Sequence, residues 1–529
     1  MNPEPPLPPA SLAETAPESL LGRRRYFLNI LWSWAGVGVL MATGLLVAPF
    51  LIRRLGTAQY GIWALALSLV EYFWLIDFGF RPATVKYSAE YRALNRTREL
   101  NQLLSTALGC ACLGACAVLL VVWPNAERAG AYLKISSPEF PALVRIVGVS
   151  WAFGLVFNVF GAALEGFQRF DLSNRIAIAS TLARSLATVA VVWQGYGLWE
   201  MGLVLLVTQG ATYVALYVVC ARIYPEMQLS PRQWSWDMTR RLLRYGRQVI
   251  SAIAAMRILQ AGMPSLIAYF LPVQHVTYYT VSQKSLDYAA EGVGRIGLVT
   301  SPRASAWMAQ GEKDRVIRLA EYGNRYCLSL WALLATFLMV FSEKICRLWV
   351  NAEFAQHAGL LLPIIAAGYA LWLGQFISAA ILMGIGRYEA YSISLLAESL
   401  LVLGGLLVVL PRYGLIAAAI LFSALVALNR CLNLGRIFCK EFRLPLGPFL
   451  RRIYLRPLAV SAASIVVLRV CEKFLAPGNS WAQLMALGAI HCLGYGTASV
   501  FLVLWPEHRA LLWEKIVEPR WQTCRNLFR

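Results

Sequence analysis

Stretches of about twenty mostly apolar residues recur along nearly the whole of this 529-residue chain. That length is what a helix needs to cross the hydrocarbon core of a bilayer. The charged fraction is 14% against 58% hydrophobic, where a soluble chain carries about a quarter charged residues. A membrane β-barrel would show alternating segments of about ten residues, and no such alternation runs through this sequence. The chain therefore reads as an all-α integral membrane protein with fourteen spans. These fall near 27–51, 60–80, 102–123, 141–165, 173–194, 198–221, 248–271, 276–300, 319–341, 359–383, 389–410, 413–435, 455–474 and 481–504.

A net charge of +20 could point to nucleic acid in a soluble chain. Here it is explained by Lys and Arg collecting on one side of the membrane. With the N-terminus inside, thirty-three of the forty-eight Lys and Arg fall in inner segments and eight in outer ones, the rest lying within spans or at their ends. A missed span would invert every later loop, so the asymmetry supports both the span count and cytoplasmic termini. No nucleic-acid partner is expected. The eleven cysteines are scattered. Cys110, Cys112 and Cys116 share a span with no His or carboxylate nearby, so neither a disulfide framework nor a metal site is expected.

The chain repeats itself. GFQRF at 166–170 matches GIGRY at 384–388, and Tyr196-Gly197-Leu198 matches Tyr413-Gly414-Leu415. LGTAQYGIW at 55–63 resembles FLPVQHVTY at 270–278, and Glu71-Tyr72 resembles Asp287-Tyr288. The separations are 215 to 218 residues, so spans 1–6 and 7–12 read as two copies of one six-helix bundle. Six is even, so the copies are parallel and related by a pseudo-two-fold axis along the membrane normal. The expected organisation is a disordered Pro-rich tail at 1–25, bundles at 26–222 and 248–440 joined by a linker at 223–247, two additional helices within 441–505, and a tail at 506–529.

The eighth span, VTYYTVSQKSLDYAAEGVGRIGLVT at 276–300, carries Lys284, Asp287, Glu291 and Arg295 at spacings that share one helical face. Each charge at a bilayer centre costs about 2.5–3.5 kcal/mol on insertion scales, so the stripe cannot face lipid. Two parallel halves place a transport site between them near the midplane, and the stripe belongs there. Arg184 and Arg257 are further intramembrane cations. Glu71, Asp77, Asp287, Glu291 and Glu398 are intramembrane carboxylates that suit an ion-coupling or counter-ion role. The alternatives are structural: Lys284 paired with Asp287, Arg295 with Glu291, and Arg184 holding Glu165. Tyr278, Tyr279, Gln283 and Tyr288 surround the stripe and are of the types that contact sugars. Arg81, Lys86, Arg92, Arg96 and Arg98 form a basic inner loop, and Pro49, Pro264, Pro302 and Pro363 lie in or beside spans as hinges or kinks.

LGTAQYGIW at 55–63, followed by Ile76-Asp77-Phe78-Gly79-Phe80 and a basic loop, resembles the first-loop and second-span signature of bacterial polysaccharide flippases. That family belongs to the multidrug/oligosaccharidyl-lipid/polysaccharide exporter superfamily. The resemblance covers roughly residues 25–505. It implies an inner-membrane transporter, not an enzyme, that moves a polyprenyl-pyrophosphate-linked glycan from the cytoplasmic to the outer leaflet by alternating access. It further implies that cations in the central cavity accommodate the head group, with Lys284, Arg257, Arg295 and Arg184 as the candidates here. No cofactor is expected beyond coupling to an H+ or Na+ gradient, and polysaccharide polymerases or glycosyltransferases of the pathway are the implied protein partners. A drug/cation antiporter of the superfamily is one alternative. A polymerase or ligase acting on lipid-linked sugars is the other, though the outer loops are short and hold no paired carboxylates.

Overall fold

The structure, a computed structural model, describes residues 20–77, 79–475, 480–512 and 514. Among the described residues every regular element is helical. The first half comprises α1 (Leu20–Leu55), α2 (Thr57–Glu71), α3 (Phe80–Ala93), α4 (Thr97–Tyr132), α5 (Phe140–Gly166), α6 (Phe170–Trp193) and α7 (Leu198–Ile223). The second comprises α8 (Trp236–Phe270), α9 (Gln274–Ala309), α10 (Lys313–Trp349), α11 (Ala352–Ala358), α12 (Leu361–Leu373), α13 (Phe376–Gly384), α14 (Glu389–Ala427) and α15 (Leu434–Phe442). Then follow α16 (Leu446–Leu475), α17 (Trp481–Ala498) and α18 (Pro506–Leu512). The N-terminal arginines Arg23 to Arg25, expected in a disordered tail, continue α1, which begins at Leu20.

Ten helices are long and apolar enough to cross a membrane, and α11 with α12, bent by 42°, passes the same test as a pair. One of the ten, Glu389–Phe442, is 54 residues long and turns back at Gly414, whose φ is 73°. A Cβ on Gly405 would lie 2.7 Å from Leu421, and Asn429 donates to the Ser394 carbonyl at 3.2 Å, so its two arms run antiparallel. The remaining two expected spans are α2, cut short by a 3₁₀ segment at Tyr72–Asp77, and α9 with its charged stripe. Each of the fourteen expected spans thus has a helix. Large apolar side chains such as Leu46, Leu120 and Val207 are exposed on the outside, which suits lipid and not water.

The internal repeat is visible in backbone detail. The pairings α1 with α6, α4 with α5 and α5 with α7 recur as α8 with α14, α10 with α12 and α12 with α14. Helices α5 and α13 end in the same hydrogen-bond pattern, Arg169 N–H to the Leu164 carbonyl and Arg387 N–H to the Leu382 carbonyl. Both ends close through a left-handed residue, Gln168 at φ 59° and Gly386 at φ 73°. A Cβ on Gly166 would meet the Val85 carbonyl oxygen at 2.7 Å, and one on Gly384 would meet the Ser301 carbonyl oxygen at 2.6 Å. Val85 and Ser301 are themselves one repeat apart. The copies also differ: the first breaks at the 3₁₀ segment and Gly79 (φ 75°), whereas α9 continues through the equivalent residues to Ala309, and the continuous α5 is matched by the broken α12 and α13.

One junction between the halves lies at the end that the Lys and Arg distribution assigns to the outside. Thr277 donates to the Thr57 carbonyl at 2.6 Å. Thr57 and Tyr278 both donate to Glu353 Oε1, at 3.0 and 2.8 Å. Arg53 donates to the carbonyls of Val350, Leu348 and Trp349 at 2.7 to 2.9 Å, covering the last turn of α10. Gly61 lets α2 and α9 touch, because a Cβ there would strike the Val273 carbonyl. Helices α16 and α17 pack outside this plan against α10. Buried His491 on α17 bonds to Thr336 of α10 and Ser464 of α16, each at 3.1 Å.

Gly384→Leu forces a side chain into the Ser301 backbone, and overpacking of this kind costs about 1–3 kcal/mol. The purified variant is expected to melt at lower temperature than the parent. Gly386→Asn, at a position where an added Cβ meets nothing within 4 Å, is expected to melt within a degree or two of it, since Asn tolerates left-handed backbone.

Candidate functional site

Between the halves lie two adjoining chambers. The first, about 440 Å3, is walled by α2, α5, α6, α7, α8 and α9 and includes Glu71, Arg184 and Gln209. The second, about 650 Å3, lies toward the second half and includes Asp287, Glu291, Arg430, Tyr369, Trp372, Phe376 and Phe422. Gln260, Gln283, Lys284 and Tyr288 line both. The chambers therefore meet at the charged stripe of α9.

Each ion takes one of three arrangements. Arg257 of α8 forms an ion pair with Glu71 of α2, across the two halves, and also reaches Gln260 at 3.4 Å. The expected substrate contact at Arg257 thus has a counter-ion already in place, and the expected coupling carboxylate Glu71 is that counter-ion. Glu398, also expected in coupling, is 1% exposed and held bidentately by Arg430, with bonds of 2.7 to 3.2 Å. Asn429 adds a donor at 2.8 Å. Asp287 accepts the Tyr369 hydroxyl at 2.6 Å, so a neutral donor holds it, in place of the expected partner Lys284.

Lys284 is the exception. It is exposed in the first third of α9, inside the expected span 276–300, and makes no hydrogen bond or ion pair with a described residue. An exposed ammonium at that depth requires water or an anion beside it, and the chambers supply the room. Arg184 stands in the first chamber, donating to Gln209 at 3.3 Å. It does not hold Glu165, which pairs with Arg81 at 2.6 Å. Glu291 is exposed to the second chamber. The side chains of Asp77 and Arg295 lie outside the described residues.

Helical rotation sorts the aromatic candidates. Thr280, one turn before Lys284, lines the first chamber, as do Gln283 and Tyr288. Tyr278 and Tyr279 are 2% and 0% exposed and turn away from it. Tyr278 belongs to the outer junction with Glu353 and stacks on His357 at 4.6 Å. Of the basic inner loop, Arg81, Lys86 and Arg92 lie on helix α3 and are engaged: Arg92 sits 4.3 Å from the Phe167 ring centroid and Lys86 4.9 Å from those of Tyr87 and Tyr245, while Arg96 and Arg98, at the start of α4, are exposed. The ten described cysteines are free thiols, and no cluster of three metal-ligating side chains exists among the described residues.

The sequence reading overlooked Arg430. It occupies a π-helical turn, Leu428–Asn433, the kind of helix irregularity that recurs at functional sites. Its guanidinium lies 4.8 Å from the Trp372 ring centroid on the chamber wall. The available signal was Glu398 alone, a buried carboxylate that must have a cation.

Comparison with known proteins gives a consistent set of relatives. The model of the polysaccharide biosynthesis protein family (Polysacc_synt) matches residues 28–307. A Shigella flexneri protein named for O-antigen transport is 19% identical over 414 residues, spanning 76% of this chain and 96% of that protein. The membrane protein EpsK of Bacillus subtilis (strain 168) is 20% identical over 482 residues, 88% of this chain and 93% of that one. Among solved structures, the lipid II flippase MurJ in an inward closed conformation is similar at a TM-score of 0.71 and 14% identity, covering 89% of this chain and 98% of that one. A multidrug resistance MATE family transporter of the MOP superfamily, in an inward-facing conformation, gives 0.61 at 12% identity, covering 77% and 95%. These structures share the fold.

Removing one partner of a buried ion pair costs about 3–5 kcal/mol, while replacing both by neutral groups of similar shape is nearly free. Arg430→Ala, which strands Glu398, is expected to lower the melting temperature of the purified protein sharply. Adding Glu398→Gln to Arg430→Met is expected to restore most of that loss.

Proposed function

The chain belongs to the polysaccharide biosynthesis protein family, and on that premise we propose that it flips a polyprenyl-pyrophosphate-linked oligosaccharide or polysaccharide precursor from the cytoplasmic to the outer leaflet. The observation that carries this reading is Lys284, an exposed cation with no hydrogen bond or ion pair to a described residue, at the junction of the two chambers. A lipid pyrophosphate is a compact dianion, and its passage through a low-dielectric zone needs counter-charge waiting for it. Arg184 stands in the same chamber as Lys284, so the two cations offer a pyrophosphate two points of contact. The second chamber has the complementary chemistry for a sugar: the aromatic wall of Tyr369, Trp372, Phe376 and Phe422, and the amides of Gln260 and Gln283.

The carboxylates divide accordingly. Glu71 and Glu398 serve as counter-ions, while Asp287 and Glu291 face the chamber and remain the candidates for H+ or Na+ coupling. In the proposed cycle substrate enters from the cytoplasmic side and the junction at the outer end is the gate on its way out. Alternating access then opens the Thr57–Glu353–Tyr278 junction and closes the inner end. The relative named for O-antigen transport supports a glycan as cargo over a drug or a free cation.

Deleting the gene and determining the leaflet in which lipid-linked glycan accumulates tests the reading. Cytoplasmic-leaflet accumulation is the expected outcome; outer-leaflet accumulation of unpolymerised units would transfer the protein to the polymerase or ligase class. Lys284→Ala is expected to abolish export with normal membrane insertion, and full export by that variant would remove the stripe from the mechanism. A Lys284→Asp/Asp287→Lys exchange is expected to be inactive, because a substrate anion then meets the wrong sign.

A further inference from the structure

A second cationic site lies away from both chambers, where α16 begins and α17 ends. It is a pocket of about 780 Å3 whose walls include Arg325, Arg451, Arg452, Arg456 and Trp505, and it shares no lining residue with either chamber. Two of its arginines are committed to the protein. Arg325, 6% exposed, donates to the Arg452 and Val503 carbonyls and so fastens α10 to α16 and to the end of α17. Arg452 pairs with Glu321 at 2.8 Å. Arg451 and Arg456 are exposed and make no hydrogen bond or ion pair with a described residue. The indole N–H of Trp505 is buried and has no acceptor among the described residues. Among the described residues four arginines thus line this pocket, and only Arg452 of them has an ion pair, with Glu321. Such crowding is unfavourable unless an anion joins it.

Two features indicate a lipid over a soluble phosphate. The first turn of the 30-residue helix α16, at Gly447 and Pro448, forms part of the wall, so backbone N–H groups and the helix dipole add to the cationic field. From the pocket an apolar track then runs along the exposed face of α16 through Leu455 (53% exposed), Leu458 (41%) and Val466 (63%). Phe501 and Leu502 of the α17 end are likewise exposed. A phosphate ester with acyl chains matches a cationic pocket that continues into an apolar surface, and basic pockets between membrane helices at the cytoplasmic side take acidic head groups. We propose that this pocket binds the phosphate head group of an acidic glycerophospholipid of the inner leaflet, its acyl chains lying along α16. This goes beyond the transport reading and does not depend on the identity of the cargo; it uses only the inner-side placement of the start of α16.

The experiment is native mass spectrometry of the full-length protein titrated with phosphatidylglycerol or phosphatidylcholine. Preferential, saturable retention of phosphatidylglycerol is expected. The Arg451→Gln/Arg456→Gln variant is expected to lose roughly tenfold or more in that retention, with an unchanged size-exclusion profile because both side chains are exposed. If the double variant fails to fold, Arg456→Gln alone serves, with the same direction of change. Equal retention by parent and variant, or equal retention of the two lipids, overturns the proposal. Displacement of the lipid by millimolar inorganic phosphate would reassign the site to a soluble anion. Lys284→Ala is expected to leave retention unchanged while export fails; loss of retention in that variant would place the lipid in the central chambers instead.

Discussion

An ion inside a bilayer must be paired, hydrogen-bonded or wet, and this protein uses all three solutions within one cavity. Arg257 with Glu71 and Arg430 with Glu398 are paired. Asp287 is bonded by a neutral tyrosine. Lys284 is left to the solvent of the chambers. The distribution is informative because burying an uncompensated charge costs several kcal/mol, so a chain does not keep one by accident. The paired residues hold helices in place; the wet one is available to something that arrives. The same accounting applies at the pocket beside α16, where Arg451 and Arg456 form no ion pair with a described residue.

The two halves reach this arrangement by repeating a backbone plan and then departing from it. The glycines that end α5 and α13 approach equivalent carbonyls, and the left-handed residues after them sit at matching positions. Pro49 and Pro264 lie 215 residues apart in α1 and α8. On that common frame Glu71 and Asp287 occupy corresponding sites, yet one meets an arginine from the opposite half and the other a tyrosine from its own. The break at Tyr72–Asp77 has no counterpart in α9. The asymmetry gives one chamber a cationic surplus and the other an aromatic wall.

Helix positions, the repeat and the polar character of the α2 and α9 spans were legible from the sequence because hydropathy and spacing are local properties. The stripe on α9 was legible for the same reason, and Lys284 is where that reading placed it. Pairing between distant segments was not. Arg257 meets a carboxylate 186 residues away, and nothing in its neighbourhood in the chain announces that. Arg430, within the expected span 413–435, was not singled out, because its partner Glu398 lies 32 residues away in the chain. Tyr279 was read together with Lys284 because they are close in sequence, whereas successive residues turn by roughly 100° around a helix, and only Thr280 and its register-mates face the chamber.

The contacts of Arg53 have a bearing on speed. Its guanidinium supplies donors to three consecutive carbonyls at the end of α10, and charge-assisted bonds of this sort are each worth about 1.5–3 kcal/mol. The outer end therefore acts as a latch with its own threshold, set some distance from any group that touches cargo. Any rearrangement that parts the halves there must first break those bonds, whose strength is fixed by one arginine in the last turn of α1 and not by the groups that line the chambers.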